Sequence, residues 1–238
     1  MKFFCCYTEG HRLLFEEYFR PSLPKEVELR STLLPGPGAG DFLSAEFLEC
    51  ISRKVKLVIT SLREHSGELL VWTDIDILFF RPVVAELEQL LAQSGKKILF
   101  QREGKRVAHV NTGFFVCRAS EELAVFFERV LALLKSNPRI NEQAAVNQLL
   151  EEGCGLDFGY LPFSYYARTH GWPPPEDLAL YHANATPGKN GQRKKIRQFK
   201  EIAWVRRYGR PARAWSCVTK IPKRLIRVAS EKLRPIPS

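Results

Sequence analysis

Two aspartates, Asp74 and Asp76, stand between the apolar runs Leu69-Leu70-Val71-Trp72 and Ile77-Leu78-Phe79-Phe80. Residues i and i+2 of an extended segment point the same way, so the spacing predicts both carboxylates projecting together from the end of a strand. Carboxylates held side by side raise one another's pKa unless a cation sits between them. Hard divalent ions such as Mg²⁺ or Mn²⁺ take oxygen ligands, commonly one or two carboxylates plus phosphate oxygens. Each carboxylate–phosphate charge pair at ~4 Å costs roughly 4 kcal/mol at an effective dielectric of ~20. A diphosphate beside both aspartates therefore needs a bridging cation. The plainer alternative is that the pair caps a turn or binds Arg81. Paired acids inside so apolar a run argue for chemistry.

The elements that must position this pair follow from pattern. Lys2 to Thr8 reads as a buried strand, with a short helix around Arg12 to Tyr18, and Val27 to Leu34 alternates as a second strand would. The loop from Pro35 to Gly40 precedes Ser44, placed as an N-cap for a helix with Phe47, Leu48, Ile51, Val55 and Val58 on one stripe. Helices are expected over Val83 to Gln93, Glu121 to Lys135 and Asn141 to Glu151. Strands are expected over Lys97 to Gln101, His109 to Arg118, Leu156 to Leu161 and Leu180 to His182. Strands alternating with helices predict an α/β domain whose mostly parallel sheet is covered on both faces. Ligands of such sheets bind beyond the carboxyl ends of the strands, where Asp74 and Asp76 fall.

Charge divides the 238-residue chain. Residues 189–238 hold sixteen Lys or Arg against Glu201 and Glu231, a balance of +14, whereas residues 1–188 carry twenty bases and twenty-four acids, a balance of −4. The net +10 is thus a property of a basic helical tail, which suits an anionic surface. The six cysteines are scattered without CxxC pairing, as buried reduced thiols of a cytoplasmic protein would be. The first eight residues are too short an apolar run for a signal peptide, and no stretch has the ~18 apolar residues of a membrane span.

Four segments in order, VWTDIDILFF, VNTGFFVCRAS, NEQAAVNQLL and LYHANATPGKNGQRKKIRQF, resemble the GT-A nucleotide-diphospho-sugar transferases. The likeness is to the group around glycosyltransferase family 77, and more distantly to family 8. It spans roughly residues 2 to 204, leaving 205–238 as a basic C-terminal extension. The resemblance implies a single Rossmann-like GT-A domain that moves a sugar from a nucleotide diphosphate, with UDP-sugar as the expected donor and Mn²⁺ or Mg²⁺ as the ion. It implies that Asp74 and Asp76 bind metal, with Asp74 also toward the ribose side of the donor. His182 is expected as the third metal ligand, beside Asn184. Asn111, Thr112 and Gly113 are expected to line the sugar or acceptor pocket. Glu142, Gln143 and Asn147 match a DQ-x-x-x-N element facing the reacting sugar, although Glu142 stands where Asp is usual. Gln143, Glu142 and Asn111 are thus the expected catalytic positions. Lys189, Lys194 and Lys195 are alternatives for the lysine on the leaving diphosphate, and Tyr7 and Thr8 stand where this fold receives the nucleotide base. Lys56 reads as a solvated helix lysine with a possible reach to phosphate. Retention of anomeric configuration is also implied.

The expected partners are a nucleotide sugar and a glycan or lipid-linked acceptor, with the basic tail on the inner face of a membrane. Two rivals come from other classes. A metal-dependent phosphohydrolase of the haloacid-dehalogenase type would place its aspartates after the first strand, with Thr or Val two residues on. Here the motif comes at residue 74, and Leu78 stands at that position. A nucleic-acid binder would need stacking aromatics, and the tail offers few suited to it, namely Trp204, Tyr208 and Trp215.

Overall fold

The computed structural model describes residues 1–35, 45–104, 108–166, 176–183 and 190–232. Strand β1 (Lys2–Thr8) leads into a run of short helical pieces. These are a 3-10 turn at Glu9–His11, α1 (Arg12–Leu14), a π-helical stretch at Phe15–Phe19 and α2 (Arg20–Ser22). The expected single helix near Arg12 is therefore longer and irregular. Next come β2 (Glu28–Leu34), α3 (Ala45–Glu64), β3 (Leu69–Thr73) and β4 (Ile77–Phe79). Then follow α4 (Val84–Ser94), β5 (Ile98–Arg102), β6 (Val110–Arg118), α5 (Glu121–Ser136) and α6 (Glu142–Glu151). Strands β7 (Phe158–Tyr160) and β8 (Leu180–His182) flank a 3-10 turn at Phe163–Tyr165, and α7 spans Gly191–Lys232 with a break at Gly209, where φ is 61°. The expected Ser44 cap and the loop over 36–40 lie outside the described residues.

Six strands form one sheet in the order β2-β1-β3-β6-β5-β7. Strand β1 is parallel to β2 and β3, and β5 is parallel to β7. Strand β6 runs antiparallel to both β3 and β5. The sheet is mostly parallel, with one reversed strand at its centre.

Side-chain alternation assigns the two faces. Phe3, Cys5, Val71, Leu99, Phe114 and Val116 pack on one side with Phe15, Phe19, Leu87 and Phe199. Phe4, Leu70, Trp72, Ile98, Phe100, Phe115 and Cys117 pack on the other with Val55, Leu62, Phe127 and Val146. Each such buried side chain contributes about 1.5–3 kcal/mol, so both faces need their helices. Helix α5 starts at Ser120, whose hydroxyl accepts from the Leu123 N–H, and α6 starts at Asn141, whose side chain accepts from the Ala144 N–H at 2.8 Å. The second cap fixes Glu142 and Gln143 in the first turn of α6.

Two irregularities shape the region around the aspartates. The β5–β6 pairing moves from Phe100↔Phe115 directly to Gln101↔Asn111, so Thr112, Gly113 and Phe114 bulge out of register. Bulges re-aim side chains and strengthen local twist. Beyond β3 the backbone bends at Ile75 and Asp76, and β4 leaves the main sheet to pair antiparallel with β8, bringing Ile77 opposite His182. That two-stranded ribbon was not expected from sequence. Among the cysteines, Cys5 and Cys117 are buried and Cys6, Cys50 and Cys154 half-buried, all as free thiols. No helix among the described residues is long and apolar enough to cross a membrane.

Candidate metal and diphosphate site

Strand β3 delivers Asp74 to its carboxyl end, where the Asp74 N–H donates to the Gly113 carbonyl at 2.6 Å. Asp76 follows after the bend, and its carbonyl accepts from the Ala183 N–H at 2.8 Å. This contact and the β4–β8 ribbon set His182 beside Asp76, although the two are far apart in sequence. Ligand atoms of Asp74, Asp76 and His182 lie within 4.8 Å of one another. The aspartates thus converge through a bend, not through the regular pleat that their spacing suggested.

The electrostatics of the two aspartates differ. Asp76 is 7% exposed. Its Oδ2 lies 2.5 Å from Lys195 Nζ and its Oδ1 lies 3.2 Å from His182 Nε2. Burial by itself would raise its pKa, but Lys195 and His182 outweigh burial and hold the carboxyl well below the usual range. Asp74 is shifted the other way. Burial raises it, and repulsion from Asp76 adds to that, against the attraction of Lys54. A buried carboxylate pair driven apart in this way is relieved by a cation between them.

The donor set fits such an ion. Asp76 Oδ1 is buried with no hydrogen-bond donor, and the atom facing it is an imidazole nitrogen. Two carboxylates and one histidine form a compact oxygen–nitrogen set suited to a divalent first-row ion or Mg²⁺. Gly113 makes room for it. A Cβ at that position would stand 2.4 Å from His182 Cε1 and 2.8 Å from Asp74 Oδ2. Only a residue without a side chain fits there.

Around this centre the structure brings together most of the residues expected from sequence. Lys195 on α7 contacts Asp76 directly. Asn111 is buried, with its Nδ2 donating to Glu103 at 2.6 Å and its Oδ1 accepting from the Gly113 N–H at 2.9 Å. It thereby braces the bulge that seats Gly113. Thr112 is buried beside it. Glu142 is joined to Asp74 through Lys54, and Gln143 follows it in the first turn of α6, half-buried. Tyr7 stacks on Phe15 with ring centroids 4.1 Å apart, and Thr8 Oγ1 is 2.9 Å from His11 Nδ1.

Asn147 departs from expectation. Its side chain accepts from the Val110 N–H at 2.8 Å and donates to the Val110 and Gln143 carbonyls at 2.9 and 2.8 Å. Its amide ties β6 to α6 and turns its polar atoms to backbone, not to a sugar. The plainer alternative for the aspartates fails, since Arg81 pairs with Glu86 and not with them. Asn184 and Lys189 lie outside the described residues.

Sequence reasoning missed four contributors. Lys54 lies 2.7 Å from Asp74 Oδ1 and 2.8 Å from Glu142 Oε1, whereas Lys56 is exposed. Two residues along a helix turn the side chain through about 200°, which separates the two lysines. Burial opposes the Lys54 charge, but Asp74 and Glu142 win and raise its pKa. A lysine three residues after Ile51 and four before Val58, at the edge of the inward stripe, was the available signal. Gln101 was the second, a polar residue ending the apolar strand Ile98-Leu99-Phe100. Glu103 and His11 carried no comparable signal. The His11 pKa is lowered first by burial and next by Lys195, which places it beside the same cluster.

A family model described as nucleotide-diphospho-sugar transferase matches residues 34–199. An uncharacterized protein of Arabidopsis thaliana, At1g28695, is 26% identical over 124 residues, covering 50% of this chain. The chain spans 36% of that relative's length. Among solved structures, apo glycosyltransferase GlyE of Streptococcus pneumoniae TIGR4 superposes with a TM-score of 0.57 at 8% identity. The match covers 87% of this chain and 62% of that one. A glycosyltransferase involved in glycosylation of the major capsid of PBCV-1 also gives 0.57, at 12% identity, covering 84% of this chain and 98% of that one. These likenesses show the fold, and the family match spans most of the ordered sheet and every residue of the Asp74–Asp76–His182 cluster. The chain belongs to the nucleotide-diphospho-sugar transferase family.

Proposed function

We propose that this protein is a divalent-metal-dependent glycosyltransferase that moves a sugar from a nucleotide diphosphate to a glycan or lipid-linked acceptor. The observation that carries the reading is the convergence of Asp74, Asp76 and His182 at the carboxyl end of β3, within reach of Lys195. Asp74, Asp76 and His182 would hold Mn²⁺ or Mg²⁺. Bound there, the ion supplies Lewis-acid stabilisation of the charge that develops on the departing diphosphate.

The protein's own residues do the rest. Lys195 neutralises Asp76 until a diphosphate arrives and then turns its ammonium to the phosphate oxygens, a role that falls to it over Lys194 because of its contact with Asp76. Lys54 bridges the Asp74 and Glu142 carboxylates and holds them side by side. Glu142 and Gln143 stand at the rim as acceptors and donors for sugar hydroxyls. Asn111 holds the Gly113 bulge so that the sugar end stays open. Tyr7, Thr8 and His11 form the floor at the end of β1, where the base and ribose of a UDP-sugar would lie. Transfer with retention is part of the same reading.

The basic tail supports placement at the inner face of a membrane. Trp204, Tyr208, Trp215 and Val218 on α7 are exposed among Arg and Lys, and clustered cations contribute about 1 kcal/mol each at an anionic lipid surface. Co-sedimentation with phosphatidylglycerol vesicles tests this, with Trp204→Ala/Trp215→Ala expected to weaken it.

A thermal-shift panel of UDP-, GDP- and CMP-sugars, each with and without Mn²⁺, tests the central reading. Stabilisation by one nucleotide sugar that requires the cation is expected. A folded protein that responds to none of them, or that hydrolyses simple phosphate monoesters instead, would overturn it. Proton NMR of the product linkage reads retention directly.

A further inference from the structure

Gln101 is 2% exposed and sits at the register break of β5, opposite Asn111. Both ends of its amide are engaged. Its Nε2 donates to the Tyr165 carbonyl at 2.5 Å, and its Oε1 lies 2.7 Å from His182 Nδ1. A backbone carbonyl can only accept, so the amide group toward Tyr165 must be the NH₂ end. The reversed amide would press two oxygens together at that short distance. The oxygen end therefore faces His182, and an amide oxygen also can only accept. His182 Nδ1 must then carry the proton. With a cation bound, that leaves Nε2 as the lone pair that faces it, on the side of Asp76 Oδ1 at 3.2 Å.

Resting on the metal reading of the site, we propose that Gln101 is the positioning residue that selects the Nδ1–H tautomer of His182 and aims Nε2 at the cation position. A histidine ligand whose second nitrogen is held by an outer partner keeps one ring orientation, and loss of such partners typically lowers metal affinity 10–100-fold. The anchor for Gln101 is rigid. The Tyr165 ring is fully buried and stacks on Phe114 at 6.0 Å, and its hydroxyl donates to Glu86 at 3.0 Å. Glu86 in turn pairs with Arg81. One chain of contacts thus runs from a surface ion pair, through the Tyr165 backbone and Gln101, to the metal face of His182. The β-bulge serves it twice, since it turns Gln101 inward and brings Gly113 under the imidazole ring.

The test reads the ring directly. Protein labelled with ¹⁵N-histidine and free of metal gives long-range ¹H–¹⁵N correlations that report which ring nitrogens carry a proton. A His182→Gln variant identifies the resonance among the five histidines. Wild type is expected to keep Nδ1 protonated, with or without a second proton shared between Nε2 and Asp76 Oδ1. Gln101→Met, which fills the space without an acceptor, is expected to lose that preference and to bind Mn²⁺ at least about tenfold more weakly by calorimetry. Gln101→Glu keeps an acceptor toward His182 but loses the N–H to the Tyr165 carbonyl, so it is expected to recover the Nδ1–H preference and only part of the affinity.

A wild-type ring protonated on Nε2 and bare on Nδ1, beside normal cation affinity, overturns the assignment of Gln101 alone. So does a folded Gln101→Met with unchanged tautomer and affinity. Nδ1–H in a folded wild type that binds no divalent cation overturns the metal reading, and with it the purpose assigned to Gln101. If Gln101→Met does not fold, the wild-type spectrum and Gln101→Glu still decide.

Discussion

Gly113 lies under the imidazole of His182 so closely that a single added carbon would stand 2.4 Å from its Cε1. The same carbon would also meet Asp74 Oδ2 at 2.8 Å. The backbone of the bulge is thus one wall of the cation position, and its lack of a side chain is a requirement of the site.

Gly113→Ala should therefore displace His182 or Asp74. Overpacking of this kind costs typically about 1–3 kcal/mol, and the stabilisation by Mn²⁺ should disappear. Thermal shift with and without the ion measures both effects. A variant of normal stability that retains cation-dependent stabilisation would contradict the geometry.

Lys54 is 11% exposed and bridges Asp74 and Glu142. Removing one partner of a buried ion cluster typically costs about 3–5 kcal/mol, because the charges left behind stay unpaired. Lys54→Met should approach that loss in urea unfolding, whereas Lys56→Ala should stay within about 0.5 kcal/mol. Adding Glu142→Gln to Lys54→Met should recover part of the loss. Strict additivity of the two changes would argue against the bridge.

The aspartates should respond oppositely to acid in the metal-free protein. The folded-state pKa of Asp76 is depressed, so its stabilisation is present above the unfolded value of about 3.9 and is lost as pH falls toward the folded value. Asp74 has a raised folded pKa. It destabilises the fold at neutral pH and is relieved as pH falls through that raised value. Asp76→Asn should lower the melting temperature at pH near 7, and Asp74→Asn should leave it unchanged or raise it. Equal losses from both substitutions would refute the asymmetry.

Lys195→Ala should lower kcat for sugar transfer by roughly 10²–10³, the scale for removing one group that stabilises developing negative charge. Lys194→Ala should have a much smaller effect. Turnover at saturating Mn²⁺ and donor distinguishes them, and equal losses would remove Lys195 from the role assigned to it.

Much of the architecture was legible in the chain. The strands at Leu69, Ile98, Val110 and Leu180 and the helices at Val84, Glu121 and Glu142 follow from local periodicity, which needs only short-range information. Asp74 and Asp76 were legible because two acids in an apolar run conflict with burial. His182 was legible only through the resemblance, since a lone histidine after a short strand has no local signature.

Lys54 and Gln101 show where sequence reading stops. A helical lysine faces solvent or site according to a rotation set by what the helix packs on, and Lys54 differs from Lys56 only in that rotation. A strand glutamine matters only once a carbonyl from Tyr165 and a ring from His182 stand at its two ends. Periodicity and charge alone determined an α/β chain with a paired-acid loop and a basic tail. Tertiary structure decided that Asp76 meets His182, that Gly113 lies beneath the ring and that Lys54 joins α3 to α6. Those contacts depend on sheet register, a three-residue bulge and a two-stranded ribbon, which arise from long-range pairing that no local pattern encodes.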